Sequence, residues 1–214
     1  KILKKIWRLS KAFIAGLFWY PYNLIQYIIF SRKQKRFISM RLYPKIFDKD
    51  PAAHTFDKHY VYMDRWAFKQ ILSAKPEQHV DVGSSIRFLS MVSTVAKLKF
   101  VDIRPIKIDF DNFECIEGSV LKMPFANDSI KSLSSLHVAE HIGLGRYGDP
   151  LDPQGTERAC AELARILAPG GRLYFALPVG KQAVYFNAHR VHEPQIILNY
   201  FKGLELLSFA AVGD

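Results

Sequence analysis

The spacing of apolar positions changes several times along the chain, and each change marks an element. KILKKIWRLSK opens it. Lys1, Lys4, Lys5, Arg8 and Lys11 recur at helical spacing, with Ile2, Ile6, Leu9 and Phe13 on another side, the pattern of a basic amphipathic helix. The uncharged run AFIAGLFWYPYNLIQYIIF, Ala12 to Phe30, follows and gives way to SRKQKR. Between Asp48 and Pro76, FDKHYVYMDRWAFKQILSA has the spacing of one or two helices until Pro76 breaks it. QHVDV is a short apolar strand whose acid is Asp81, and IRFLSMVSTVA reads as the helix after it. LKFVDIR is a second strand ending in Asp102, FECIEGSV a third, MPFANDS a turn and IKSLSSLHV a fourth strand. In GTERACAELARILAPGG, Ala159, Leu163, Ile166 and Leu167 form one helical face, and Pro169-Gly170-Gly171 ends it. RLYFALPV is a fifth strand and LELLSFAAV a sixth.

Strands interleaved with helices predict an α/β fold, a Rossmann-like three-layer sandwich around a mostly parallel sheet, preceded by an N-terminal helical arm. The arm takes residues 1–47 and the sheet domain 48–214. About ten residues separate the second and third strands, too few for a crossover helix, so that connection is expected to be extended.

Charge sharpens this division. Of the 30 Lys and Arg and 20 Asp and Glu, Lys1 to Asp50 holds 12 and 2, leaving 18 of each sign in the rest. The body is neutral, which argues against a nucleic-acid partner; a basic surface belongs to the arm. For residues 1–36 two readings stand: a helix lying on an anionic membrane surface, or one packed on the domain with a solvated charged face. Pro21, Asn23 and Gln26 within the uncharged run disfavour a span, and no small-residue cleavage site follows it. Cys115 and Cys160 have no CxxC partner, so buried inert thiols in a reducing, cytoplasmic setting are expected, with the arm peripheral on the inner membrane face.

In such a sheet ligands bind at the carboxyl ends of the strands. Asp81-Val82-Gly83-Ser84-Ser85 turns out of the first strand, Asp102 ends the second at the spacing of a ribose-binding acid, Gly118-Ser119 follows the third, and His137 ends the fourth. A dinucleotide needs glycine where Ser85 stands, which disfavours NAD. A zwitterionic amino-acid tail could use the loop's amides and hydroxyls, with Arg87 opposite its carboxylate.

From Val80 to Val179 the chain resembles class I S-adenosylmethionine-dependent methyltransferases, most strongly in MPFANDSIKSLSSLHVAEHI and ELARILAPGGRLYFALP. More narrowly, SSLHVAEHIGLGRYGDPLDPQG and PVGKQAVYFNAHRVHEP resemble an uncharacterised methyltransferase-like domain of unknown function known from bacteria and nematodes. The resemblance implies S-adenosylmethionine as cofactor. Asp81, Gly83, Ser84 and Ser85 would hold its methionine end, Asp102 its ribose, and Ser119 and the Val120 amide its adenine, with His137 alongside. Ser119 stands where many members carry Asp. The class usually has seven strands; with no seventh before Asp214, the chain is either cut short or its sheet is smaller.

Two polar loops are expected to face the methyl group: HVAEHIGLGRYGDPLDP and NAHRVHEP. They offer His141, Asp149 or His189 as a general base, and Arg146, Tyr147, Asn187 and Arg190 for an acceptor. The structural alternatives are that Glu140 and His141 orient their loop and that Arg146 pairs with Asp149. His137 and His141 could share a metal only on a helix, and no metal is expected. The expected function is methylation of a small-molecule or glycan acceptor; the alternative is a non-catalytic module binding a glycan or nucleotide sugar.

Overall fold

The computed structural model describes residues 56–213 and, before them, Pro21, Tyr22, Leu24, Ile25, Ile28, Ile29 and Arg32, all helical. The chain divides into two compact units, Lys1–Phe56 and Asp57–Asp214. The basic stretch at Lys1–Lys11 and the SRKQKR run, Arg32 apart, lie outside the described residues. Among the described residues no helix is long and apolar enough to cross a membrane.

The second unit opens with α1 (Lys58–Ala74). Asp57 caps it by accepting from the Tyr60 amide at 3.3 Å, and Lys75 ends it in a left-handed conformation just before Pro76. Met63, Ala67 and Ile71, four residues apart, are its buried stripe. β1 (Gln78–Val82), α2 (Ile86–Val92) and β2 (Lys97–Asp102) follow, and then β3 (Phe113–Glu117) after an extended, helix-free crossover, as the short spacing predicts. β4 (Ile130–Leu136), a 3-10 turn (Ala139–His141), α3 (Gly155–Ile166) and β5 (Leu167–Ala176) complete the sheet. Its order is β3-β2-β1-β4-β5 and all four pairings are parallel.

Two apolar layers sandwich this sheet. Val80, Val82, Val101 and Leu133 point toward Ala159, Cys160, Leu163 and Ile166 of α3. Leu98, Phe100 and Leu136 point toward Met63, Ala67 and Ile71 of α1 and Phe88, Leu89 and Val92 of α2. Cys160 is fully buried, and burial pushes its thiol up to about 12.

Four expectations change. The helix GTERACAELARI ends at Ile166, and Leu167 with Pro169-Gly170-Gly171 belongs to the start of β5 instead of closing the helix. The helix after β1 stops at Val92, where Ser93 and Thr94 hydroxyls bond the carbonyls of the last turn. NAHRVHEP is not a plain loop: β6 (Ala183–Tyr185) and β7 (His189–Val191) form an antiparallel hairpin, followed by α4 (Pro194–Tyr200). LELLSFAAV forms no strand. It joins no β-ladder among the described residues, and Leu206, Leu207 and Phe209 stay exposed.

Candidate functional site

The carboxyl ends of β1, β2, β3 and β4 come together as the sequence predicts. Gly83 leaves β1 at φ +68°, and a Cβ there would sit 3.1 Å from both methyls of Val138, so this turn requires glycine. Ser85 does not imitate a missing glycine: it caps α2, accepting from the Phe88 amide at 3.2 Å and donating to Asp64 Oδ2 at 3.2 Å. Ser84 Oγ accepts from the Leu136 amide at 3.1 Å, tying the turn to β4.

Asp81 is fully buried and works inward. Its Oδ1 accepts from the Ser84 amide at 3.0 Å and its Oδ2 from Ser134 Oγ. Behind it His79, also fully buried, touches Ser134 Oγ through Nε2 at 2.8 Å and Ser132 Oγ through Nδ1 at 2.7 Å. With Asp81 ionised, the Ser134 proton is committed to it. His79 Nε2 must therefore donate and Nδ1 must accept from Ser132. The result is a one-way chain of donors, Ser132 to His79 to Ser134 to Asp81, across the two central strands. Burial pushes the Asp81 carboxyl up to about 6, against the opposing pull of its hydrogen bonds, and holds the His79 imidazole down to about 3. The signal for this chain is in the sequence: His79 and Asp81, and Ser132 and Ser134, alternate polar positions on central strands.

Asp102 ends β2 with Oδ1 accepting from the Arg104 amide at 2.7 Å. Ser119, half-buried, accepts from the Leu121 amide at 3.2 Å, and the Val120 side chain belongs to the core. Arg87 is exposed. Asp64, reaching in from α1, is 5% exposed and keeps one oxygen, Oδ1, without a hydrogen-bond partner among the described residues; burial raises its pKa, opposed by the Ser85 hydroxyl and then by Arg87.

Past β4 the loop is held from three sides. Asp149 does not pair with Arg146: its Oδ2 accepts from the Gly143 amide at 2.6 Å and its Oδ1 from the Tyr147 amide at 3.2 Å. Burial works to raise its pKa, but these amides win and lower it. Gly143, at φ +79°, leaves only 2.1 Å between a built Cβ and the Asp152 carbonyl oxygen. Arg190, expected to meet an acceptor, is instead 5% exposed and clamps the loop from within. It donates to the Ile142 carbonyl, to the Asp152 carbonyl at 2.9 Å and to Thr156 Oγ1 at 3.3 Å. Two guanidiniums approach the Tyr147 ring, Arg104 at 4.6 Å and Arg146 at 5.1 Å, so the loop after β4 meets the segment after β2.

The histidines divide by what occupies them. His141 donates from Nδ1 to the Ala188 carbonyl at 2.5 Å, where Arg146 also donates at 3.2 Å; burial lowers its pKa despite the opposing Glu140 charge. His189 lies against the Tyr185 ring at 4.9 Å, and Asn187 is exposed at the hairpin tip with φ +57°. His137, at φ +57°, bonds Glu140 Oε1 through Nδ1 at 2.7 Å. Glu140 is 1% exposed, and its Oε2 has no hydrogen-bond partner among the described residues. Sequence reasoning gave Glu140 only a loop-orienting part and passed over Asp64, Arg104 and His79. Among the described residues no group of three or more His, Cys, Asp or Glu could hold a metal.

A family model described as "Caenorhabditis protein of unknown function, DUF268" matches residues 82–212. No curated protein sequence matches the chain. Among solved structures, Burkholderia thailandensis 1,6-didemethyltoxoflavin-N1-methyltransferase, with bound 1,6-didemethyltoxoflavin and S-adenosylhomocysteine, is similar at TM-score 0.50 and 11% identity, over 66% of this chain and 66% of that one. Streptomyces coelicolor geranyl diphosphate C-methyltransferase is similar at TM-score 0.47 and 14% identity, over 72% and 67%. The YcgJ protein from Bacillus subtilis is similar at TM-score 0.48 and 14% identity, over 65% and 67%. At these identities the likeness is one of fold, and the fold is that of the class I methyltransferases.

Proposed function

Because this chain belongs, through residues 82–212, to the family described as Caenorhabditis protein of unknown function, DUF268, and carries the class I methyltransferase fold, we propose that it methylates a small-molecule or glycan acceptor with S-adenosylmethionine. The observation that carries the reading is that the Gly83 turn, whose amide donates to the Val101 carbonyl beside Asp102, stands next to two acids, Asp102 at the end of β2 and Asp64, bonded to Ser85, from α1.

The donor set suits this cofactor. Asp64 Oδ1 is a buried carboxylate oxygen beside the turn with no hydrogen-bond partner among the described residues, matched to an ammonium group and unfavourable to a pyrophosphate. Asp102 would accept from ribose hydroxyls, and the Val120 amide and Ser119 would meet adenine. When bound, S-adenosylmethionine supplies an electrophilic methyl group on a sulfonium. The chain's own part is to hold the turn rigid through Asp81 and Ser84, and to set the loop after β4 over the crevice through Asp149, Arg190 and Tyr147.

Calorimetric titration of the full chain with S-adenosylhomocysteine tests the reading. Binding is expected, weakened about tenfold or more by Asp102→Ala or Asp64→Asn through loss of a charged hydrogen bond. A folded chain that takes up no S-adenosylhomocysteine would sink it. A second reading, a binding module without turnover, draws support from Ser84 and Ser85, whose hydroxyls are engaged inside the protein. It is distinguished by binding without any methyl transfer. For the arm we propose attachment to an anionic membrane surface, on the strength of its charge.

A further inference from the structure

We propose that His137 is the general base of this site and Glu140 the residue that positions it, so that the acceptor group is a hydroxyl; the inference rests on the methyltransferase reading. His137 ends β4 in the left-handed region, at φ +57°, where a residue with a side chain carries roughly 1–3 kcal/mol of strain. Its amide donates to the Ala176 carbonyl at 2.9 Å, which locks that conformation onto β5. The same turn carries the imidazole to Glu140, Nδ1 to Oε1 at 2.7 Å, with the Tyr60 ring 5.4 Å away on its flank.

The hydrogen bond decides which nitrogen is the base. An ionised carboxylate only accepts, so Nδ1 carries the proton and Nε2 keeps its lone pair. Nε2 has no hydrogen-bond partner among the described residues, and the side chain is 20% exposed. Of the other three candidate bases, His189 lies on the β6–β7 hairpin against the Tyr185 ring with no carboxylate partner among the described residues, and the remaining two are occupied. His141 gives its Nδ1 proton to the Ala188 carbonyl and sets Nε2 3.7 Å from Glu140 Oε1. Asp149 has both oxygens on amides of its own loop. Glu140 shares its charge with these two imidazoles in a buried setting, so a proton gained at His137 Nε2 is stabilised as an imidazolium across a short hydrogen bond.

A hydroxyl is the acceptor that needs such a pair. As the new C–O bond forms and the C–S bond breaks, the hydroxyl proton passes to His137 Nε2 and the sulfur keeps the bonding electrons. A carboxylate acceptor is already ionised and has no proton to give up; a neutral amine attacks with its lone pair. Neither has a proton that must leave as the new bond forms.

The tautomer can be read without any cofactor. In the full chain, the 15N imidazole spectrum, assigned by loss of the His137 signals in His137→Asn, is expected to show Nδ1 protonated and Nε2 bare. Asn tolerates the left-handed backbone, so that variant keeps the turn. Glu140→Gln is expected to abolish the tautomer preference. A protonated Nε2, or a spectrum indifferent to Glu140→Gln, overturns the proposal. S-adenosylhomocysteine binding is measured separately, on the wild-type chain. A wild-type chain that fails to bind it defeats the methyltransferase reading and leaves the tautomer result standing. With radiolabelled S-adenosylmethionine and a cell extract as acceptor source, the expected product is neutral and stable to alkali, an ether. An alkali-labile ester, a cationic amine, or no transfer by a chain that binds S-adenosylhomocysteine overturns it.

Discussion

Gly83 and His79 show how single residues set the terms for the whole crevice. At Gly83 both backbone and space demand glycine: φ is +68° and a Cβ would press on Val138 at 3.1 Å. Gly83→Ala should therefore cost about 1–3 kcal/mol in urea denaturation, and more in S-adenosylhomocysteine binding than in stability. His79 and Asp81 are both buried but pull stability in opposite directions as pH changes. The Asp81 carboxyl, raised from 3.8 to about 6, holds its proton longer in the folded chain than in the unfolded one. Its contribution is present below pH 3.8 and lost as pH rises through 6. The His79 imidazole, lowered from 6.5 to about 3, stabilises the folded chain above pH 6.5, and that is lost as pH falls through 3. The two slopes cancel between about pH 6 and 4, and below 4 the His79 loss runs alone. Denaturation at stepped pH should show, for wild type minus His79→Gln, a loss on acidification approaching about 5 kcal/mol by pH 3. A difference that does not change with pH would mean that His79 is not held neutral. QHVDV reads as a short apolar strand, and its alternate polar positions acquire a role only with Ser132 and Ser134 standing opposite them.

Among elements, the loop from Ile142 to Gln154 and the β6–β7 hairpin stand or fall together. Arg190 leaves the hairpin and satisfies two carbonyls and a hydroxyl on the other side. Arg190→Met keeps the stem but orphans those groups, and should cost about 3 kcal/mol or more by urea denaturation. Arg190→Lys, with a single point charge, should recover only part. Periodicity identified α1, α3 and the five paired strands because their apolar sides face a sheet or a helix. It failed where pairing decides. The stretch from Leu204 alternates well enough for a strand, but a strand exists only beside another. The hairpin was hidden because His189 and Arg190 look like ligand-binding residues, and only the fold reveals that Arg190 turns inward. Asp149 misled in the same way: an acid between glycines suits a base, and equally an acceptor for loop amides.

For the molecule as a whole, charge and ligand act on different parts. The 12 basic residues before Pro51 should govern attachment to anionic vesicles. Replacing Lys1, Lys4, Lys5, Arg8 and Lys11 with Gln in the full chain is expected to reduce co-sedimentation with phosphatidylserine vesicles at least tenfold, at about 1 kcal/mol per basic residue. Unchanged sedimentation would remove the arm from the membrane. S-adenosylhomocysteine at about 100 times its Kd should stabilise the sheet domain by about 2.7 kcal/mol, seen as a rise in Tm. The donor chain under the Gly83 turn has one more consequence. Serine hydroxyl protons and the ring proton of a neutral histidine normally exchange with water too fast to be seen by NMR. In this chain Ser132, His79 and Ser134 are each at most 4% exposed, between the central strands and the layer of α1 and α2. Their protons should give observable resonances, and those resonances should fade only as fast as the central sheet opens. Three atoms that take no part in binding would thus report, residue by residue, how often the floor of the crevice comes apart.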